Sequence, residues 1–257
     1  MFELIDINIL PAFILILVRI IAFFVTIPVF SYRNVPLPLK IGMGIFLAWI
    51  MLYTIPTPEL AFDDQYVLLI IKEAIIGLLL GLIAYIILAA IQIAGGFIDF
   101  QMGGFAIANV VDPQTGAQSP LIGQYFYTIA ILFILVVDGH HLLLNGLVYS
   151  FEVIPLDQFF SFSNLDFILL TFSKMFLIAF QLSIPIVGCL FLVDVALGII
   201  ARTVPQLNVF VVGLPLKILV SFLVLFMFIP FYIAMVQQLF SLTLDTMEGL
   251  IHLFGGA

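Results

Sequence analysis

The sequence predicts an all-α integral membrane protein, and three observations carry that prediction. Hydrophobic residues fill 65% of the 257 positions. Charged residues fill only 9%, whereas soluble domains carry about a quarter because their surface must face water. The apolar residues also fall in continuous runs near the length of a membrane crossing, about 20 residues for a hydrocarbon layer of about 30 Å. Continuous runs argue against a membrane β-barrel, whose strands alternate apolar and polar positions.

Six apolar helical segments follow in order. The first covers residues 9–30, with Arg19 near its centre. The second covers 37–55. The third covers 66–93 and is uncharged from Ala74 to Ile91. The fourth covers 121–137, the fifth 167–200 and the sixth 218–236. Residues 1–257 are read as a single membrane domain. Pro28, Pro185 and Pro230 lie in or near the ends of these runs, where neighbouring helices must satisfy the carbonyls that proline frees. Gly77 and Gly81 form a GxxxG pair, which permits close helix approach. Residues 1–6 are acidic and the first positive residue is Arg19. An ordinary signal peptide is therefore not expected, and the first segment is expected to remain in the mature protein.

Positive residues suggest an orientation. Residues 31–40 hold Arg33 and Lys40, and residues 201–217 hold Arg202 and Lys217. The connection 56–65 and the stretch after the fourth segment hold acidic residues without Lys or Arg. With six crossings, connections 31–40, 94–120 and 201–217 face the cytoplasm and both termini face outward.

Several function classes fall away. A net charge of −8 without a basic stripe argues against nucleic acid. Cys189 is the single cysteine, so no internal disulfide forms. GxSxG, HExxH and Walker A patterns are missing, so neither an enzyme nor a cofactor is expected. Asp138-Gly139-His140-His141 resembles a metal cluster in composition. Helical ligands share a face at i,i+3 or i,i+4 rather than i,i+1. No metal site is expected, and the cluster reads as a wet helix end.

Charges inside the apolar runs are Arg19, Lys72, Glu73, Lys174 and Asp194. Each costs about 2.5–3.5 kcal/mol at a bilayer centre on insertion scales. They fit either an ion or proton path or a set of interhelical pairs. Lys72 and Glu73 sit near a segment end, where snorkelling is easy. No ordered series of acids accompanies Arg19.

The connection 94–120 is Gly-rich yet keeps Phe, Ile, Met and Val. A lipid-exposed coil would leave its backbone unsatisfied. The stretch is therefore an irregular segment buried in protein or lining a cavity, or else a plain re-entrant turn.

Four blocks in order resemble the FliR family of flagellar and type III secretion export-gate proteins. They are Gly-Phe-Ile-Asp-Phe-Gln-Met-Gly at 96–103, Asp112-Pro113 with Gly116, Asp138-Gly139-His140-His141, and Arg202 to Phe210 leading through Gly213 and Pro215 to Lys217. The resemblance implies a subunit of an export-gate channel for unfolded polypeptides, in the cytoplasmic (inner) membrane at the flagellar basal body. It implies FliP-like and FliQ-like membrane subunits and an FlhB-like switch protein as partners. It also implies tilted, broken helical hairpins. The pore plug falls at about 105–124, with Phe105, Ile107, Val110, Val111, Asp112, Pro113 and Gly116 as its candidate residues. Arg202, Pro205, Gln206, Asn208, Phe210 and Lys217 become the partner-binding cytoplasmic loop. The alternative is a small-solute secondary transporter, which would show paired halves with matching broken helices. No such pairing is visible.

Overall fold

The structure is a computed structural model that describes residues 9–28, 30–31, 35–56, 58, 60, 62–103, 110–111, 118–158, 166–206 and 208–255. Seven helices occupy these residues: α1 (Leu10–Thr26), α2 (Leu37–Thr54), α3 (Asp64–Gln101), α4 (Leu121–Val136), α5 (Gly139–Val153), α6 (Asp166–Thr203) and α7 (Val209–Gly255). Two two-residue strands, β1 (Val110–Val111) and β2 (Gln118–Ser119), pair antiparallel with Val110 opposite Ser119.

Each of the six apolar segments contains a helix, the first only over Leu10–Thr26, and the structure extends several of the others. The third segment becomes a 38-residue helix and the sixth lies within a 47-residue helix. Residues 139–153 add a seventh helix that the apolar runs did not separate. By length and composition four helices can cross a membrane, or five if α4 and α5, bent by 74°, form one broken span. Helix α1 is shorter, at 17 residues.

Local chemistry explains the ends. Pro11 stands in the first turn of α1 and Pro38 in that of α2, where a missing N–H leaves no bond unmade. Pro28 follows the end of α1 at Ile27, whose backbone is already extended. Pro185 lies inside α6, and Pro215 and Pro230 lie inside α7. Hydroxyls in the apolar helices turn back onto their own carbonyls, as Ser183 does onto Phe180 and Ser221 onto Lys217. That satisfies the hydroxyl without a partner helix.

The chain divides into two compact units. The first comprises Met1–Ile87, Leu135–Phe172 and Ser241–Ala257. In it α1 packs on α2 and buries Leu15, Ile16, Ile20, Phe23 and Phe24. Gly77 and Gly81 bring α3 against α1: a Cβ on Gly77 would strike the Arg19 carbonyl, and one on Gly81 would stand 2.9 Å from Ile27 N. The second unit comprises Leu88–Ile134 and Ser173–Phe240. There the Phe126 and Tyr232 rings stack at 4.4 Å, and the Tyr232 hydroxyl donates to the Phe126 carbonyl.

Candidate functional site: a buried charge cluster and the root of the irregular segment

Within the first unit, Arg19, Lys72 and Glu73 are almost wholly removed from solvent. Arg19 Nε and Nη2 face the two carboxylate oxygens of Glu73, with Nη2–Oε1 at 3.0 Å. This fork-to-fork geometry is the strong form of the arginine–carboxylate pair. Arg19 Nη1 donates to the Ser150 carbonyl at 2.8 Å and to Ser150 Oγ at 3.1 Å. Nη2 reaches the Ile154 carbonyl at 3.1 Å, and the guanidinium carbon lies 4.1 Å from the Phe151 ring centre. Lys72 Nζ is 2.6 Å from Glu73 Oε1 and donates to the carbonyls of Pro155, Leu156 and Gln158 at 2.8, 3.0 and 3.1 Å.

Two cations thus share one carboxylate. The remaining compensation comes from carbonyls at and beyond the C-terminal turn of α5, where the helix end carries partial negative charge. Lys72 does not snorkel to water, although it stands near the segment end. It is 3% exposed, because the 154–158 backbone supplies acceptors inside the fold. Lys174, in contrast, is exposed.

In the second unit, polar groups gather at the last turn of α3. Asp99 Oδ2 accepts from the Ile122 N–H at 2.9 Å. That N–H belongs to the first turn of α4, where no intrahelical acceptor exists, so Asp99 caps α4 from a different helix. Just above, α3 and α4 meet backbone to backbone: a Cβ on Gly95 would collide with Gly123, and one on Gly123 would stand 2.9 Å from the Gln92 carbonyl. Gln101 Nε2 donates to Asp194 Oδ2 on α6 at 2.8 Å. Lys217 Nζ on α7 lies 2.7 and 2.8 Å from the two oxygens of the same carboxylate. The turn after α3 places Gly103 at φ +95°, a conformation that glycine adopts without strain. A Cβ there would stand 3.3 Å from Leu214 on α7.

The candidate plug follows directly. Phe105, Ile107, Asp112, Pro113 and Gly116 lie outside the described residues. Val110 and Val111 form β1 and pair with Ser119 and Gln118. Of the candidate loop, Arg202, Pro205, Gln206 and Asn208 are exposed around the α6–α7 turn, whereas Phe210 lies in the first turn of α7. Lys217 is not in that turn: it is inside α7 and joins Asp194. The roles of Asp99 and Gln101 were not read from the sequence. The only signal was their place in the Gly-Phe-Ile-Asp-Phe-Gln-Met-Gly block.

Asp138, His140 and His141 stand at the break between α4 and α5. Asp138 precedes α5 in the left-handed region at φ 55°, so the helical spacing rule does not govern the trio. Their potential ligand atoms lie within 4.8 Å of one another. Asp138 and His141 are exposed, and His141 Nδ1 is 3.8 Å from Asp138 Oδ1. An exposed acid and imidazole such as Asp138 and His141 reach such distances without an ion, whereas His140 Nδ1 is buried without a hydrogen-bond partner.

Residues 10–243, which hold both clusters, match the family described as bacterial export proteins, family 1. The chain belongs to that family. Among its relatives, the flagellar biosynthetic protein FliR of Bacillus subtilis (strain 168) is 59% identical over 97% of this chain and 98% of its own length. The flagellar biosynthetic protein FliR of Escherichia coli (strain K12) is 30% identical over 88% of this chain and 87% of its own. The Yop proteins translocation protein T of Yersinia pestis is 32% identical over 94% of this chain and 95% of its own. The similarity to these export proteins extends over nearly the whole chain, so it takes in the α3 root and the α6–α7 turn as well as the apolar helices.

Proposed function

We propose that this chain is a structural subunit of the export-gate channel of a flagellar type III secretion system, helping to form and plug the pore for unfolded polypeptides. The observation that carries this reading is the end-to-end similarity to FliR proteins, at 59% identity over 97% of the chain. The long apolar helices support a multi-pass membrane protein; we further propose that it sits in the cytoplasmic membrane as a single membrane domain. Its partners are FliP-like and FliQ-like membrane subunits, with an FlhB-like protein at the Arg202–Phe210 turn. The transporter alternative finds no support among the relatives.

The plug is assigned to about residues 105–124. A channel wide enough for an unfolded chain leaks ions unless something seals it, and apolar side chains in a narrow lumen seal by excluding water. Deleting residues 108–119 is expected to leave the complex assembled and the gate permeable at rest. Ion conductance or small-molecule leakage in cells expressing the whole gate measures this. A deletion that assembles and stays as tight as the parent refutes the plug.

A further inference from the structure

We propose that Asp99 and Gln101, in the last turn of α3, are positioning residues that fix the root of the plug segment; the inference rests on the plug reading above. The segment leaves α3 at Gly103 and rejoins a helix after Pro120. Asp99, before the exit, is bonded to Ile122, after the return. The two ends of the segment are thus tied to each other by one directional bond. The Gly95–Gly123 contact alone holds α3 close to α4, but two glycine backbones in contact can slide along the helix axes. A carboxylate accepting one particular N–H sets the register.

Gln101 ties the same turn to the other two helices of this unit. Its amide donates to Asp194 on α6, and Asp194 holds Lys217 on α7. Because Lys217 Nζ lies against both oxygens of Asp194, the carboxylate is already oriented when Gln101 meets it. The last turn of α3 is therefore bonded, directly or through one carboxylate, to α4, α6 and α7. These links converge within one helical turn of the point where the plug segment begins. The α6–α7 turn proposed to meet a cytoplasmic partner is joined to the plug root through the same Asp194–Lys217 pair.

The test compares single variants, a conservative variant and a swap in the whole gate, with leakage and co-purification both measured. Asp99→Ala and Gln101→Glu are expected to assemble at the parental level and to leak toward the level of the 108–119 deletion. Gln101→Glu sets a second carboxylate beside Asp194, which repels it. Asp99→Asn keeps an oxygen that accepts the Ile122 N–H and is expected to leak less than Asp99→Ala. Combining Gln101→Glu with Asp194→Asn exchanges amide and carboxylate, leaves one carboxylate for Lys217, and is expected to restore tightness. Parental tightness of both single variants, while the deletion leaks, overturns the inference and leaves the plug intact. Loss of assembly that neither Asp99→Asn nor the swap repairs also overturns it, by giving these residues a folding role. A tight deletion removes the plug reading and this inference together.

Discussion

Glu73 pairs directly with two buried cations, so its removal is felt more than that of a surface acid. Losing one partner of a buried pair costs about 3–5 kcal/mol, whereas replacing both with apolar groups is often close to neutral. Glu73→Leu alone is therefore expected to lower the yield of folded subunit sharply. Arg19→Met added to Glu73→Leu is expected to recover part of it, since Lys72 retains its three carbonyl acceptors. Thermal unfolding of the detergent-solubilised subunit checks this, and a double variant worse than the single would refute it. At the other polar residues, Asp138 and the two histidines, the expectation is different. His140→Ala with His141→Ala is expected to leave metal content unchanged by elemental analysis. A stoichiometric metal lost with that double change would show that the convergence of Asp138, His140 and His141 holds an ion.

Helix contacts decide where a methyl group matters. Gly77 meets the Arg19 carbonyl at closer than van der Waals distance for any Cβ, while Gly188 on α6 has open space. Gly77→Ala is expected to destabilise the isolated subunit by about 1–3 kcal/mol, as overpacking does. Gly188→Ala is expected to be neutral or stabilising by about 0.5–1 kcal/mol through helix propensity. Equal melting temperatures for the two variants would refute this contrast. The elements themselves were readable where composition alone specifies them, which is why the apolar runs mark six of the seven helices. Helix α5 was missed because Asn145, Gly146 and Glu152 interrupt its apolar positions. The end of α7 was missed because Gln237, Gln238, Asp245 and Glu248 make it amphipathic. Arg19 announced a buried charge, but its partners stand 54 and 131 residues away, a pairing that only the fold creates. Asp194 was likewise marked as a charge in an apolar run, but its pairing with Gln101 was hidden for the same reason, at a separation of 93.

At the scale of the whole chain, the exposed α6–α7 turn gives a test of orientation and partnership. Cysteines at Gln206 or Asn208 are expected to crosslink to a cytoplasmic-side partner of the assembled gate. Labelling of those cysteines only from the outer face would reverse the orientation. The helices that meet at this turn are longer than a bilayer requires. With 38 and 47 residues, α6 and α7 extend about 57 and 70 Å at 1.5 Å per residue, against a hydrocarbon core of about 30 Å. Only 11% and 22% of their most apolar stretches are buried within the chain. Lipid tails cannot cover such lengths, so a newly inserted copy without companions carries greasy surface into the headgroup zone or water. Such surface is expected to be recognised by membrane-bound proteases and chaperones. Subunit number in the cell would then be set by clearance of orphans as well as by synthesis. Pulse-chase labelling should show a short half-life for the chain expressed alone and a long one beside its neighbours, and equal half-lives would rule this out.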